Sequence, residues 1–164
     1  MLLTFFSRAG ENYGVDDTEV GNTEVIAGYI KDYFGDKIDV FKLEPVNLYP
    51  DNYQECTEVA KREKAENARP AFQGEIDLAA HDNIFLGYPI WWGEPPMIIN
   101  TFLEKYDFAG KQSFHSIRTP VLAQLARTRR SKRSYQTLTS ILTVWRLWAL
   151  MLELSPRRIL SRHG

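Results

Sequence analysis

The 164-residue sequence has one cysteine, Cys56, so no internal disulfide can form and a small cystine-held fold is excluded. Long apolar runs are also missing. The longest, residues 141–154, carries Arg146 and Glu153 and falls short of the roughly 20 residues of a spanning helix, so no membrane partner is expected. The opening Met-Leu-Leu-Thr-Phe-Phe lacks the basic start, apolar run and cleavage site of a signal peptide; with the lone thiol, the expectation is a cytoplasmic protein. His81, His115 and His163 lack ligand spacing, and no metal is expected. Two further shortages are local. After Lys111 the only acidic residue is Glu153, and the only glycine of ten is Gly164. Residues 1–111 hold 10 Lys+Arg against 20 Asp+Glu, net −10, whereas residues 112–164 hold 10 against 1, net +9. The chain therefore divides into a first part, 1–111, and an atypical basic C-terminal segment, 112–164, of one domain. In that segment Arg127, Arg129, Arg130, Lys132 and Arg133 have only Tyr135 as an aromatic neighbour. They read as a solvated run in preference to a contact for RNA or anionic lipid.

What is present is an alternation of strand and helix signals. Residues 2–6 form a continuous apolar run, as expected of a strand buried on both faces. Val25, Ile26, Tyr29, Ile30 and Phe34 at helical spacing predict a helix over 22–34, capped by Asn22 or Thr23 and stopped by Gly35. Residues 38–43 alternate as a second strand, 51–68 read as a charged helix, and 83–88 as a third strand ended by Pro89. A helix over 96–106 sets Met97, Ile98, Phe102 and Leu103 on one side. This βαβαβ order predicts an α/β fold with a parallel sheet, whose ligands sit beyond the carboxyl ends of the strands.

Two loops fall at those ends. The first begins at Ser7, Arg8 and Ala9 and opens through Gly21, Asn22 and Thr23 onto a helix, so hydroxyls, backbone N–H groups and the positive helix end can converge on a phosphate. Simple turns and a helix cap explain the same residues equally well. The second loop puts Trp91 and Trp92 after a buried strand and a proline. Either one tryptophan packs inward while the other covers the next helix, or both border a flat aromatic ligand, for which Gly93 permits close approach. The two loops together favour a ligand.

Phe6-Ser7-Arg8-Ala9-Gly10-Glu11-Asn12-Tyr13, the Gly21-Asn22-Thr23 helix start, Tyr49-Pro50 and Phe85-Leu86-Gly87-Tyr88-Pro89-Ile90-Trp91-Trp92-Gly93 resemble the flavodoxins, specifically bacterial flavodoxin-like FMN proteins, over residues 1–111. The resemblance implies a five-stranded parallel sheet sandwiched between helices, with FMN bound noncovalently at the strand ends. Ser7, Arg8, Ala9, Asn22 and Thr23 would then hold the phosphate, with Gly10 and Gly21 shaping the loop. Pro89, Ile90, Trp91, Trp92 and Gly93 would border the isoalloxazine, with Trp91 or Trp92 stacking on it. Residues 11–20 form an insertion relative to short flavodoxins. The implied activity is electron transfer between redox partner proteins, a reductase and an acceptor, with no catalytic side chain. An NAD(P)H-dependent FMN or quinone oxidoreductase on the same fold is the alternative; a nonenzymatic nucleic-acid-binding module is the third.

The resemblance ends at Gly110-Lys111, where the family has a buried strand and a third flavin loop. Lys-Gln-Ser-Phe-His-Ser can be encoded so that the third base of the Lys codon opens Thr-Val-Ile-Pro-Phe, a buried strand, in a shifted frame. Residues 112–164 thus read as an out-of-frame translation that would deprive FMN of its third loop. Within that segment 114–117 or 141–144 can substitute as a strand, and Leu138, Ile141, Leu142, Trp145, Trp148 and Leu152 fall near helical spacing. Cys56, on the charged helix without a CxxC partner, reads as inert.

Overall fold

The computed structural model describes residues 1–13, 15–111 and 113–118, with residues 15, 16 and 113–118 as backbone only. In chain order the elements are β1 (Leu2–Phe5), β2 (Gly10–Asn12), β3 (Val15–Thr18), α1 (Asn22–Phe34), β4 (Asp39–Lys42), α2 (Tyr53–Ala65), β5 (Asn83–Tyr88), α3 (Met97–Lys105) and β6 (Ser113–Arg118). Four strands form one sheet in the order β4-β1-β5-β6, every pairing parallel, with Leu2 opposite both Asp39 and Ile84, and Asn83 opposite Ser113. Of the five strands expected, four are seen among the described residues. The fourth is the 114–117 strand expected from the sequence, while 141–144, the helical spacing from Leu138 to Leu152 and the basic cluster lie outside the described residues. One compact unit spans Met1–Ala123, past the composition break at Lys111.

The sheet is covered on both faces, as an all-parallel sheet must be. Leu2, Leu3, Ile84 and Phe85 are fully buried. Side chains alternate along β5: Phe85 meets Phe34 of α1 with ring centroids 5.8 Å apart, whereas Leu86 packs among Cys56 of α2 and Ile98, Ile99 and Phe102 of α3. Beneath the latter layer Phe102 contacts the rings of Phe72, Tyr106 and Phe108.

Element ends differ from the sequence reading for identifiable reasons. The cap of α1 is Gly21. Neither Asn22 nor Thr23 occupies the cap; the residue there is glycine because α1 begins so close to the loop after β1 that a Cβ at residue 21 would collide with the Ser7 hydroxyl and the Arg8 carbonyl. Ser7 supplies the missing acceptor: its Oγ takes the Glu24 N–H at 3.0 Å. Helix α2 starts at Tyr53, where Asn52 accepts the Glu55 N–H at 3.1 Å, and ends at Ala65, short of residue 68. The insertion at 11–20 and the Gly10 before it form an irregular antiparallel hairpin, β2–β3, whose short polar strands carry no apolar alternation to announce them.

Candidate functional site

From β1 the chain crosses α1 to β4 on one side, then returns through α2 to β5 on the other. The carboxyl ends of β1 and β5 thus flank the point where the strand order reverses, the place where open α/β sheets leave a crevice. A cavity of about 370 Å³ lies there, within the size range of small-molecule sites. Its walls come from both loops: Ser7 and Arg8 after β1, Asn22 and Thr23 in the first turn of α1, and Pro89, Ile90, Trp91 and Trp92 after β5. Ala9 and Gly93, also expected at a ligand, do not line it.

Sterics set the first loop against the start of α1. Because residue 21 has no side chain, Ser7 reaches under the start of α1, and Thr23 is buried with its methyl group toward Gly87. The α1 N-terminus therefore faces the cavity, where its dipole and first-turn amides favour negative charge. Asn22 Oδ1 is buried without a hydrogen-bond partner, an acceptor whose desolvation is uncompensated by the protein's own described groups. Arg8 has a different task from the phosphate contact expected of it. Its Nε donates to Pro50 O at 2.9 Å, Nη1 to Glu11 O at 2.5 Å, and Nη2 to the carbonyls of Pro50 and Asp51. The guanidinium thus ties the first loop to the chain entering α2 while its charge stays at the cavity wall.

The second loop separates its two tryptophans. Trp91 turns inward, edge-on to Tyr49 at 4.9 Å and to Phe6 at 5.4 Å. Trp92 leans toward α2: its Nε1 donates to Thr57 O at 3.1 Å and Lys61 Nζ lies 5.9 Å from its ring centre, yet the residue remains 53% exposed. The inward tryptophan is the one foreseen in the alternative to a ligand wall, but the other covers α2, which precedes β5, and not the next helix α3; both residues nevertheless border the cavity. A tight reversal makes this possible. Trp91 and Glu94 exchange both backbone hydrogen bonds, at 2.9 and 3.0 Å, across Trp92 at φ +51° and Gly93 at φ +82°. Positive φ at both central positions is the geometry of a type I′ turn, which suits glycine and strains tryptophan. Lys64 secures it, donating to Trp92 O at 3.1 Å and pairing with Glu94 at 3.1 Å.

The sequence reading missed the cavity residues of the insertion and of α2, namely Asn12, Tyr13, Tyr53, Cys56, Thr57 and Ala60. Helical periodicity offered one signal: Tyr53, Thr57 and Ala60 share a face with Cys56, but which face turns to the cavity depends on packing. Burial raises the Cys56 thiol pKa, with Arg8 opposing. Below Trp91, Tyr49 donates to Glu63 Oε2 at 2.9 Å; burial raises both groups' pKa values.

A family model described as Flavodoxin matches residues 20–140. Solved structures share the fold. A protein from Bacteroides eggerthii DSM 20697, provisionally called a flavoprotein, is 23% identical with TM-score 0.52, over 81% of this chain and 80% of that one. Another from Bacteroides uniformis ATCC 8492, so called on the same provisional footing, is 26% identical with TM-score 0.53, over 71% and 70%. A flavoprotein from Lactobacillus acidophilus NCFM, crystallised in complex with FMN, is 22% identical with TM-score 0.53, over 74% and 78%. No match was found among curated proteins. With the family match spanning most of its length and its parallel sheet in the same fold, the chain belongs to the flavodoxin family.

Proposed function

We propose that this protein binds FMN noncovalently between the β1 and β5 loops and serves as an electron carrier. The observation that carries this reading is the joining, in one cavity at the strand-order reversal, of a helix N-terminus and an aromatic turn. The structural neighbour crystallised with FMN supports the choice of flavin. The donor set fits such a group: the α1 start favours the phosphate, the buried Asn22 Oδ1 can accept from a hydroxyl of the polyol arm, and the Trp92 ring presents a face to a flat heterocycle. When bound, FMN supplies one- and two-electron transfer. The chain's own residues orient it: the first turn of α1 anchors the phosphate end, Arg8 at the cavity wall fixes the loop to the chain entering α2, and the Trp91–Glu94 turn limits water at the ring end.

The −10 balance of residues 1–111 favours basic partner proteins, a reductase and an acceptor, through docking that weakens with salt. Partner reduction rates indifferent to ionic strength would count against that docking. For the cofactor, the decisive experiment is titration of the full chain with FMN, following quenching of flavin fluorescence. Saturable quenching is expected, weakened by Trp92→Ala; a chain folded by circular dichroism that leaves FMN fluorescence unchanged overturns the reading. No helix among the described residues is long and apolar enough to cross a membrane.

A further inference from the structure

The hairpin β2–β3 is fastened to the start of α2 more firmly than a surface insertion requires. Glu11 Oε2 accepts from Asn52 Nδ2 and from the Tyr53 N–H, both at 2.9 Å, and so caps α2. The Glu11 N–H donates to Asp51 O at 3.1 Å, and Arg8 bridges Glu11 O to the carbonyls of Pro50 and Asp51. Beyond this latch, Tyr13 holds its ring 6.3 Å from that of Tyr53, tilted by 41°, and is 86% exposed although it lines the cavity. An aromatic ring held by a built support and left open to water gains little from folding alone; a flat ligand would bury it. Tyr53, Thr57 and Lys61 repeat every fourth residue along one stripe of α2. Tyr13 packs at the Tyr53 end, and Trp92 packs by Thr57 and Lys61 further along.

From this we infer that the insertion belongs to the ligand site: Tyr13 is a binding residue that packs on the flat heterocycle, and Glu11 is the positioning residue that holds it in place. The inference rests on the FMN reading above and deepens it, because it assigns the ring-binding surface to the insertion as well as to the tryptophan turn. A bare helix N-terminus selects only for phosphate. Aromatic surface on two separate elements selects in addition for an extended planar ring, so FMN should bind much better than a ribose phosphate without a ring system.

The test is titration of the full-length chain with FMN for the parent, Tyr13→Ser, Tyr13→Phe, Glu11→Gln and the Tyr13→Ser/Glu11→Gln pair, reading the dissociation constant and the visible circular dichroism of bound flavin. Tyr13→Ser should weaken binding about tenfold, as expected for loss of one stacked and buried ring, and Tyr13→Phe should retain parent affinity. Glu11→Gln should weaken binding about threefold in the parent and add nothing in the Tyr13→Ser background, since it acts through that ring. Tyr13 is exposed, so far-ultraviolet circular dichroism of Tyr13→Ser should match the parent. Tyr13→Ser binding as tightly as the parent overturns the inference and leaves FMN binding intact. Additive losses in the pair overturn the role given to Glu11. A folded parent that gives no saturable quenching removes both this inference and the FMN reading.

Discussion

Trp92 is the residue whose backbone and side chain pull hardest against each other. Its φ of +51° costs a non-glycine residue about 1–2 kcal/mol, and what offsets that cost within the protein is the indole hydrogen bond to Thr57 O, the Lys64 ammonium on Trp92 O and a distant Lys61. Strain of this kind persists where the surroundings over-determine it, and it gathers at binding sites. Trp92→Gly relieves the turn while removing the ring, so unfolding free energy should stay within about 1 kcal/mol of the parent while FMN affinity falls about tenfold. Trp91→Ala should do the reverse in weighting. Its ring is wedged between Phe6 and Tyr49, so urea denaturation should show a loss of about 3 kcal/mol, the usual scale for an aromatic deleted from a packed site. Equal stability losses in the two variants would show that the turn does not divide its tryptophans in this way. The pair Trp91-Trp92 was legible in the sequence as a candidate wall; which ring faces in was not, because two adjacent residues in a loop have no period to assign their directions.

At the scale of elements, α2 links the two halves of the site, since its N-terminus receives the hairpin and its outer stripe receives Trp92. Asn52→Ala removes both the Glu55 cap and the donor to Glu11, and should cost about 1 kcal/mol or somewhat more by urea denaturation. A loss well below half that would mean the cap is replaceable. The inner side of α2 carries a pH signature. Burial holds Glu63 above its ordinary 4.5, although the Tyr49 hydroxyl donates to it. An acid whose pKa is higher in the folded state binds more protons there, so its contribution to stability declines as pH rises from the unfolded value through the folded one. Glu63→Gln keeps an acceptor for Tyr49 and removes the charge. The variant should gain on the parent as pH climbs from 4 toward 7 and differ least at the acid end. Denaturation curves at several pH values that show a constant gap would remove Glu63 as the cause.

For the whole molecule, ligand binding and stability are linked. If the cavity takes FMN in the folded state alone, FMN at a hundred times its dissociation constant should add about 2.7 kcal/mol and raise the thermal midpoint, whereas riboflavin, lacking the phosphate that α1 favours, should add less at equal concentration. Equal shifts from both would move the anchoring away from the α1 start. The composition break at Lys111 poses a separate question at the level of the gene. Read out of frame, residues 112–164 require codons 108 to 126 to yield a buried strand and a glycine loop when shifted; a nucleotide sequence that cannot do so removes that explanation. The family match itself runs past the break to residue 140, and β6 takes its place beside β5 in parallel register.

The sequence alone determined the alternation of strands and helices, the covered parallel sheet and the two loops at its carboxyl end. These follow from local signals: continuous apolar runs at β1 and β5, a 3.6-residue period in α1, and proline and glycine where strands and helices stop. Tertiary structure decided the rest. The cap position took Gly21 because the loop after β1 lies too near for a side chain, Arg8 turned to the carbonyls of Pro50 and Asp51, and Glu11 capped a helix 42 residues further along the chain. Each of these depends on which segments the sheet order brings within hydrogen-bonding distance. No spacing along the chain encodes such proximity, so the anchors of the site were visible in the sequence while the contacts that aim them were not.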